Sequence, residues 1–218
     1  MSKSAQPVSY VRPFIAELFG TFFLALTAAV VTTGSSGLFT GYQSVFVPFV
    51  LAATVAVLVY LFIGISGANL NPAVSVAQFM IRSITATRML VHIVAQVIGA
   101  WFGVVVARVI LDGSNVVPSV QNVSTGVAEF VGAFFLMFTI SMVVFKRVDE
   151  RLSGVVIGGA IGIACTFAGV SGAGVFNPAI ALGLGATGLI YLAVPFLGAL
   201  AGAGVGLLLH ESDNHEGA

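Results

Sequence analysis

The chain has very little charge. Its 218 residues include eight Lys and Arg and eight Asp and Glu, together 7% of the sequence. An ordinary soluble domain carries about 25%. So few polar groups cannot cover a soluble surface, which excludes a soluble globular enzyme and a disordered chain. The scarcity of Lys and Arg also excludes the basic footprint of a nucleic-acid binder. Cys165 is the single cysteine, so a disulfide framework and a multi-thiolate metal site are excluded as well. What the chain has instead is apolar length, 58% of it being hydrophobic. That composition describes an all-α, polytopic integral membrane protein, taken as a single domain over 1–218.

A membrane-spanning helix needs roughly 20 apolar residues. Six runs meet this, at 13–33, 45–65, 89–111, 127–145, 152–170 and 188–209. The first is too long, and too closely followed by further spans, for a cleaved signal peptide. Short polar or glycine-rich stretches such as 34–44 and 112–126 separate the runs, so function is expected within the membrane body. With the N-terminus inside, Lys3, Arg12, Arg82, Arg88, Lys146, Arg147 and Arg151 fall on the cytoplasmic side and only Arg108 outside. This bias predicts that both termini are cytoplasmic, in what is expected to be a plasma membrane.

Two further apolar pieces, 72–80 and 178–186, are too short to span. Nine residues rise roughly 13 Å, less than half of a ~30 Å hydrocarbon core. They read either as amphipathic surface loops or as two re-entrant half-helices, tolerated in a membrane only where their backbone is buried or lines a cavity.

The chain also repeats itself. Ala16-Glu17-Leu18-Phe19-Gly20 recurs as Ala128-Glu129-Phe130-Val131-Gly132, and Ser66-Gly67-Ala68-Asn69-Leu70-Asn71-Pro72-Ala73 recurs as Ser171-Gly172-Ala173-Gly174-Val175-Phe176-Asn177-Pro178-Ala179 with one extra residue. Each copy, approximately 10–111 and 124–210, holds three spans and one short segment. Three is odd, so the second copy must be inverted, and the short segments then enter from opposite faces and meet near the midplane. Glu17 and Glu129 occupy equivalent positions inside apolar runs. An intramembrane carboxylate is costly and needs a reason. A symmetric pair is expected to accept hydrogen bonds from the irregular backbone that leads into each half-helix, in preference to a proton relay.

Asn is a strong N-cap, and Pro suits the first helical position because its missing N–H is orphaned there anyway. Asn71-Pro72 and Asn177-Pro178 are therefore helix starts. Two such starts facing each other bring about half a positive charge each to one spot, and each Asn amide adds N–H donors. A water held there by its oxygen turns its hydrogens outward, which interrupts a proton wire while the dipoles repel cations. This suits a passage for neutral molecules.

With these motifs the sequence resembles the aquaporin family, the major intrinsic proteins, over nearly its whole length. The resemblance rests on the two Asn-Pro-Ala motifs, both Ala-Glu openings, and Ala95-Gln96 with Gly99-Ala100 on the third span. It implies an aquaporin-like bundle of six transmembrane helices plus two re-entrant half-helices in an inverted repeat, with a pore in each protomer of a homotetramer. It further implies passive passage of water and small neutral solutes in contact with membrane lipid. The family's filter usually carries an Arg after the second Asn-Pro-Ala, where this chain has Ile180. Spacing from each Asn assigns the other three filter positions to Leu51, Cys165 and Gly174. Such a filter is apolar and uncharged. It predicts a pore less selective for water, open to glycerol, urea or ammonia, and with a weaker barrier to protons.

Other features carry less. His92, beside Arg88, reads as an interfacial or packing histidine. His210 and His215 with Glu211 and Asp213 are too loosely spaced for a metal site, and Asn122-Val123-Ser124 matches a glycosylation acceptor. Gly198, Gly202 and Gly206 have the small-residue spacing of close helix packing. With no nucleophile–base pair, phosphate-binding loop or metal cluster in the sequence, neither an enzyme nor a cofactor is expected. Within transport the first alternative is a glycerol-, urea- or ammonia-preferring facilitator of low water selectivity; an ion-coupled secondary transporter stands behind it, and a purely structural membrane protein is the alternative outside transport.

Overall fold

The computed structural model describes residues 9–33, 43–113, 120–171 and 174–216. Lys3, most of the 34–44 stretch, Gly172 and Ala173 lie outside the described residues, as do the side chains of Glu211, Asp213, His215 and Glu216. The described chain forms α1 (Val11–Thr33), α2 (Gln43–Phe62), α3 (Pro72–Met80), α4 (Ala86–Ile110), α5 (Val123–Val144), α6 (Ser153–Ser171), α7 (Pro178–Leu184), α8 (Leu189–Leu192) and α9 (Val194–Glu216), with a 3-10 turn at Glu150–Leu152. Five stretches, in α1, α4, α5, α6 and α8–α9, are long and apolar enough to cross a membrane. The 20 residues of α2 rise about 30 Å and make the sixth span. Phe49, Trp101, Val109 and Leu208 are exposed on the outside of the bundle, as expected where the solvent is hydrocarbon.

Capping decides the helix boundaries. Asn122 Oδ1 accepts from Thr125 N at 2.8 Å, so α5 starts at Val123, inside the stretch 112–126 that reads as a loop. The half-helix α3 covers 72–80, whereas α7 stops at Leu184, two residues short of expectation, because Gly185 takes a left-handed conformation with φ 85° that ends helices. The sixth run is not one helix, as its apolar pattern suggests. It breaks between α8 and α9 at Ala193, just before Pro195, which has no N–H to give to residue 191 and crowds its carbonyl.

Glycines set the pairings. On α4, Gly99 and Gly103 lie against the carbonyls of Leu18 and Phe22 of α1, and on α9, Gly198 and Gly202 lie against those of Phe130 and Phe134 of α5. A Cβ at any of these four would collide with backbone, so only glycine permits the approach. Between α2 and α6, Gly154 meets Tyr60, Gly158 meets Ala52 and Ala56, and Gly162 meets Ala52 and Pro48. These pairs put the two helices antiparallel in a defined register. Inside this frame sit α3 and α7, whose Ala73, Ala77, Ala179 and Ala181 are fully buried.

Candidate functional site

Each half-helix is preceded by an extended stretch with unusual backbone. Ala68, Leu70 and Phe176 have φ of 50°, 52° and 55°, a left-handed conformation that costs a non-glycine residue about 1–2 kcal/mol. The two buried glutamates offset this cost. Glu17 accepts from Asn69 N at 2.9 Å, Leu70 N at 2.7 Å, Ser66 Oγ at 2.6 Å and Gln96 Nε2 at 2.7 Å. Glu129 accepts from Val175 N at 2.6 Å and Phe176 N at 2.8 Å. Hydrogen bonds to a charged acceptor contribute more than neutral ones. The side chains anchor the same stretches, Leu70 packing on Gly20 and Phe176 on Gly132.

The asparagines join the two halves. Asn71 Oδ1 accepts from Ala73 N at 2.9 Å, and Asn177 Oδ1 from Ala179 N at 3.1 Å and Ile180 N at 3.4 Å. Asn71 Nδ2 donates to Phe176 O, and Asn177 Nδ2 to Leu70 O, both at 2.8 Å. An amide nitrogen has two hydrogens. One from each Asn is therefore committed between the halves, leaving one on each amide beside the cavity that both line. Motif spacing alone does not reveal this division.

The surroundings of the two glutamates differ. Three residues before Gly99 stands Gln96, which bonds Glu17 and also donates to Ser75 Oγ at 3.0 Å. Three residues before Gly198 stands Pro195, which offers no donor. His92 is wholly buried and so is not interfacial. Its Nε2 accepts from Arg88 Nε at 3.4 Å, and its Nδ1 lies 3.3 Å from the Asn69 amide and 4.0 Å from Glu17. Toward the tail, His210 stacks on Phe145 at a centroid distance of 4.4 Å.

Both asparagines open onto one cavity of about 240 Å³. Leu51, Cys165, Gly174 and Ile180, assigned separately from sequence spacing, all line it. Pro72, Ala73, Pro178 and Ala179 are buried behind the asparagines, where they begin α3 and α7. No Lys, Arg, Asp, Glu or His side chain is among the described lining residues. Ile180 is only 4% exposed. Sequence reasoning missed most of the lining. On α2 it comes from Leu51, Val55 and Val59, and on α6 from Ile157, Ile161 and Cys165. Each trio stands 20, 16 and 12 residues before its asparagine, a signal that could have found them. Leu24 and Leu136, seven residues after each glutamate, line it too.

A membrane-spanning helical bundle around a cavity with no charged side chain among its described lining residues fits a channel class of protein. The sequence profile of the family described as "Major intrinsic protein" matches residues 4–210. The chain belongs to this family, the aquaporins, and is a multi-pass membrane channel for water and small solutes, not an enzyme. It is 33% identical over 212 residues to aquaporin NIP1-1 of Oryza sativa subsp. japonica, covering 90% of this chain and 73% of that one. It is 30% identical over 225 residues to nodulin-26 of Glycine max, covering 97% and 83%. Its fold is similar to the X-ray structure of the aquaglyceroporin from Plasmodium falciparum, with TM-score 0.68 and 23% identity over 93% of this chain and 96% of that one.

Proposed function

We propose that solutes cross through the cavity between α2, α6 and the two half-helices, past Asn71 and Asn177 at the midplane. Leu51, Cys165, Gly174 and Ile180 form its filter, and that filter is permissive, admitting small neutral solutes such as glycerol, urea or ammonia alongside water. The observation that carries this reading is Ile180, an aliphatic side chain in the lumen wall directly after the second Asn-Pro-Ala. A filter Arg would bring a fixed charge and several donors. Without them water loses partners at the constriction, and amphiphilic solutes meet a smaller desolvation barrier.

The remaining architecture follows from the same reading. Residues 1–218 form one domain of two inverted repeats, 10–111 and 124–210, supported by the matched α1–α4 and α5–α9 glycine contacts. Both termini face the cytoplasm, supported by Arg12, Arg82, Arg88, Lys146, Arg147 and Arg151 on that side. We place the protein in the plasma membrane and, as the family resemblance implies, in a homotetramer.

Stopped-flow light scattering on proteoliposomes tests the filter, comparing water, glycerol and urea for the native chain and Ile180→Arg. Native protein is expected to pass solutes, with the Arg variant reducing solute flux more than water flux. Water flux alone from the native protein would refute the permissive filter. No flux of any kind from folded protein would leave the structural alternative.

A further inference from the structure

One buried titratable side chain takes no part in the passage described above. His92 is wholly enclosed, one helical turn from Arg88 and seven residues before Gly99. Its counterpart seven residues before Gly198 is Tyr191, whose hydroxyl donates to Val120 O at 2.6 Å. Two neighbours of His92, Asn69 and Ser75, correspond to the apolar Val175 and Ala181 of the second half. The polar surroundings of His92 are therefore not a mere product of the repeat.

His92 faces more donors than it can accept from. Arg88 Nε lies 3.4 Å from its Nε2, and Asn69 Nδ2 lies 3.3 Å from its Nδ1. A neutral imidazole accepts at one nitrogen only, so the two bonds cannot coexist. The surrounding charges decide between them. Arg88 presents donors alone to Nε2, while the Glu17 carboxylate lies 4.0 Å from Nδ1. A lone pair toward the cation and an N–H toward the anion is the favoured arrangement. Asn69 is then the partner that turns. The two ends of its amide have nearly the same shape, and its Oδ1 is buried without a hydrogen-bond partner. Turned over, Oδ1 accepts from His92 Nδ1–H and from the Ser75 hydroxyl 3.2 Å away, whose oxygen accepts from Gln96 Nε2. The amide NH2 then lies beside Gly67. The exchange replaces a clash of donors with a second hydrogen bond.

We propose that His92, in its Nδ1–H tautomer, is the positioning residue for Asn69 and through it for the passage. Asn69 stands in the cavity wall and gives its backbone N–H to Glu17 at 2.9 Å. It is followed directly by Leu70, whose carbonyl accepts from Asn177 Nδ2, and by Asn71 itself. Arg88 holds the imidazole from the other side, and its Nη2 donates to Ile65 O at 3.2 Å, just beyond the end of α2. The imidazole thus ties the end of α2 to the stretch that carries Asn71. The inference rests on the reading that the cavity is the solute route.

Two measurements test it. Nitrogen–carbon correlation NMR spectra of ring-labelled histidine are recorded at neutral pH on a chain carrying His210→Gln and His215→Gln, in which His92 is the remaining imidazole. A protonated Nδ1 and a bare Nε2 are expected. A protonated Nε2, alone or together with Nδ1, overturns the proposal, and this readout needs no change at His92. Stopped-flow water flux through proteoliposomes reads the consequence. His92→Phe is expected to lower flux several-fold. His92→Asn, whose amide occupies the place of Nδ1, is expected to restore most of it, whereas His92→Gln, which reaches toward the place of Nε2, is not. Native flux from His92→Phe, or rescue by Gln in place of Asn, overturns the positioning role. The two readings fail separately. No flux from folded native protein beside an Nδ1–H spectrum defeats the solute route and leaves the hydrogen-bond assignment standing, while native flux beside an Nε2–H spectrum defeats the assignment alone.

Discussion

Asn71 Nδ2 donates to the carbonyl oxygen of Phe176 at 2.8 Å, linking the residue that caps one half-helix to the stretch leading into the other. Asn177 returns the bond to Leu70 at the same distance. The two helix starts are thus mutually positioned by the residues that cap them. Alanine at either Asn removes a cap and a bond between the halves together.

Asn177→Asp separates these roles. The carboxylate can still cap α7 through one oxygen, but it loses the donor to Leu70 and adds a negative charge to the lumen. Water flux is expected to fall, and sodium flux to rise above that of the native protein. Sodium-sensitive dye in proteoliposomes reads this directly, and unchanged sodium flux would count against an electrostatic role for the asparagine pair.

The carboxylates should not contribute equally. Glu17 holds two backbone and two side-chain donors, whereas Glu129 holds two backbone donors among the described residues. Glu17→Gln is expected to destabilise by about 2 kcal/mol or more and Glu129→Gln by about half that, given roughly 1.5–3 kcal/mol per charged hydrogen bond. Thermal unfolding in detergent, followed by circular dichroism, ranks them. A larger loss at Glu129 would contradict this account.

Gly20 and Gly132 receive Leu70 and Phe176. Alanine at either overpacks a fixed contact and is expected to cost about 1–3 kcal/mol. Gly159, on an exposed face of α6 with open space around it, is the control, where alanine should be neutral or stabilising by up to about 1 kcal/mol. The same melting experiment distinguishes a general cost of alanine from a specific clash.

Cys165 lines the lumen, so a membrane-permeant mercurial should reach its sulfur and block flux. Cys165→Ala should conduct and be insensitive. Persistent inhibition of the alanine variant would show the reagent acting elsewhere, since the chain has no other cysteine.

Much of this protein is a consequence of composition and local pattern. Apolar runs long enough for a bilayer dictate spans, because an unpaired backbone has no partner in hydrocarbon. Asn-Pro dictates where a helix starts, and repeated Ala-Glu and Asn-Pro-Ala motifs carry the family resemblance. These signals are local, each legible within about 20 residues. What they could not convey is where side chains converge. The break at Ala193, the sharing of each Asn amide between cap and crossing bond, and the burial of His92 depend on neighbours far away in the chain. So does the lumen itself. Leu51, Val59, Ile157 and Cys165 are ordinary apolar residues in ordinary apolar helices, and sequence hydrophobicity does not distinguish lipid-facing from lumen-facing positions. Only the close packing of α2 on α6, set by glycines that let backbones touch, turns those side chains toward the cavity.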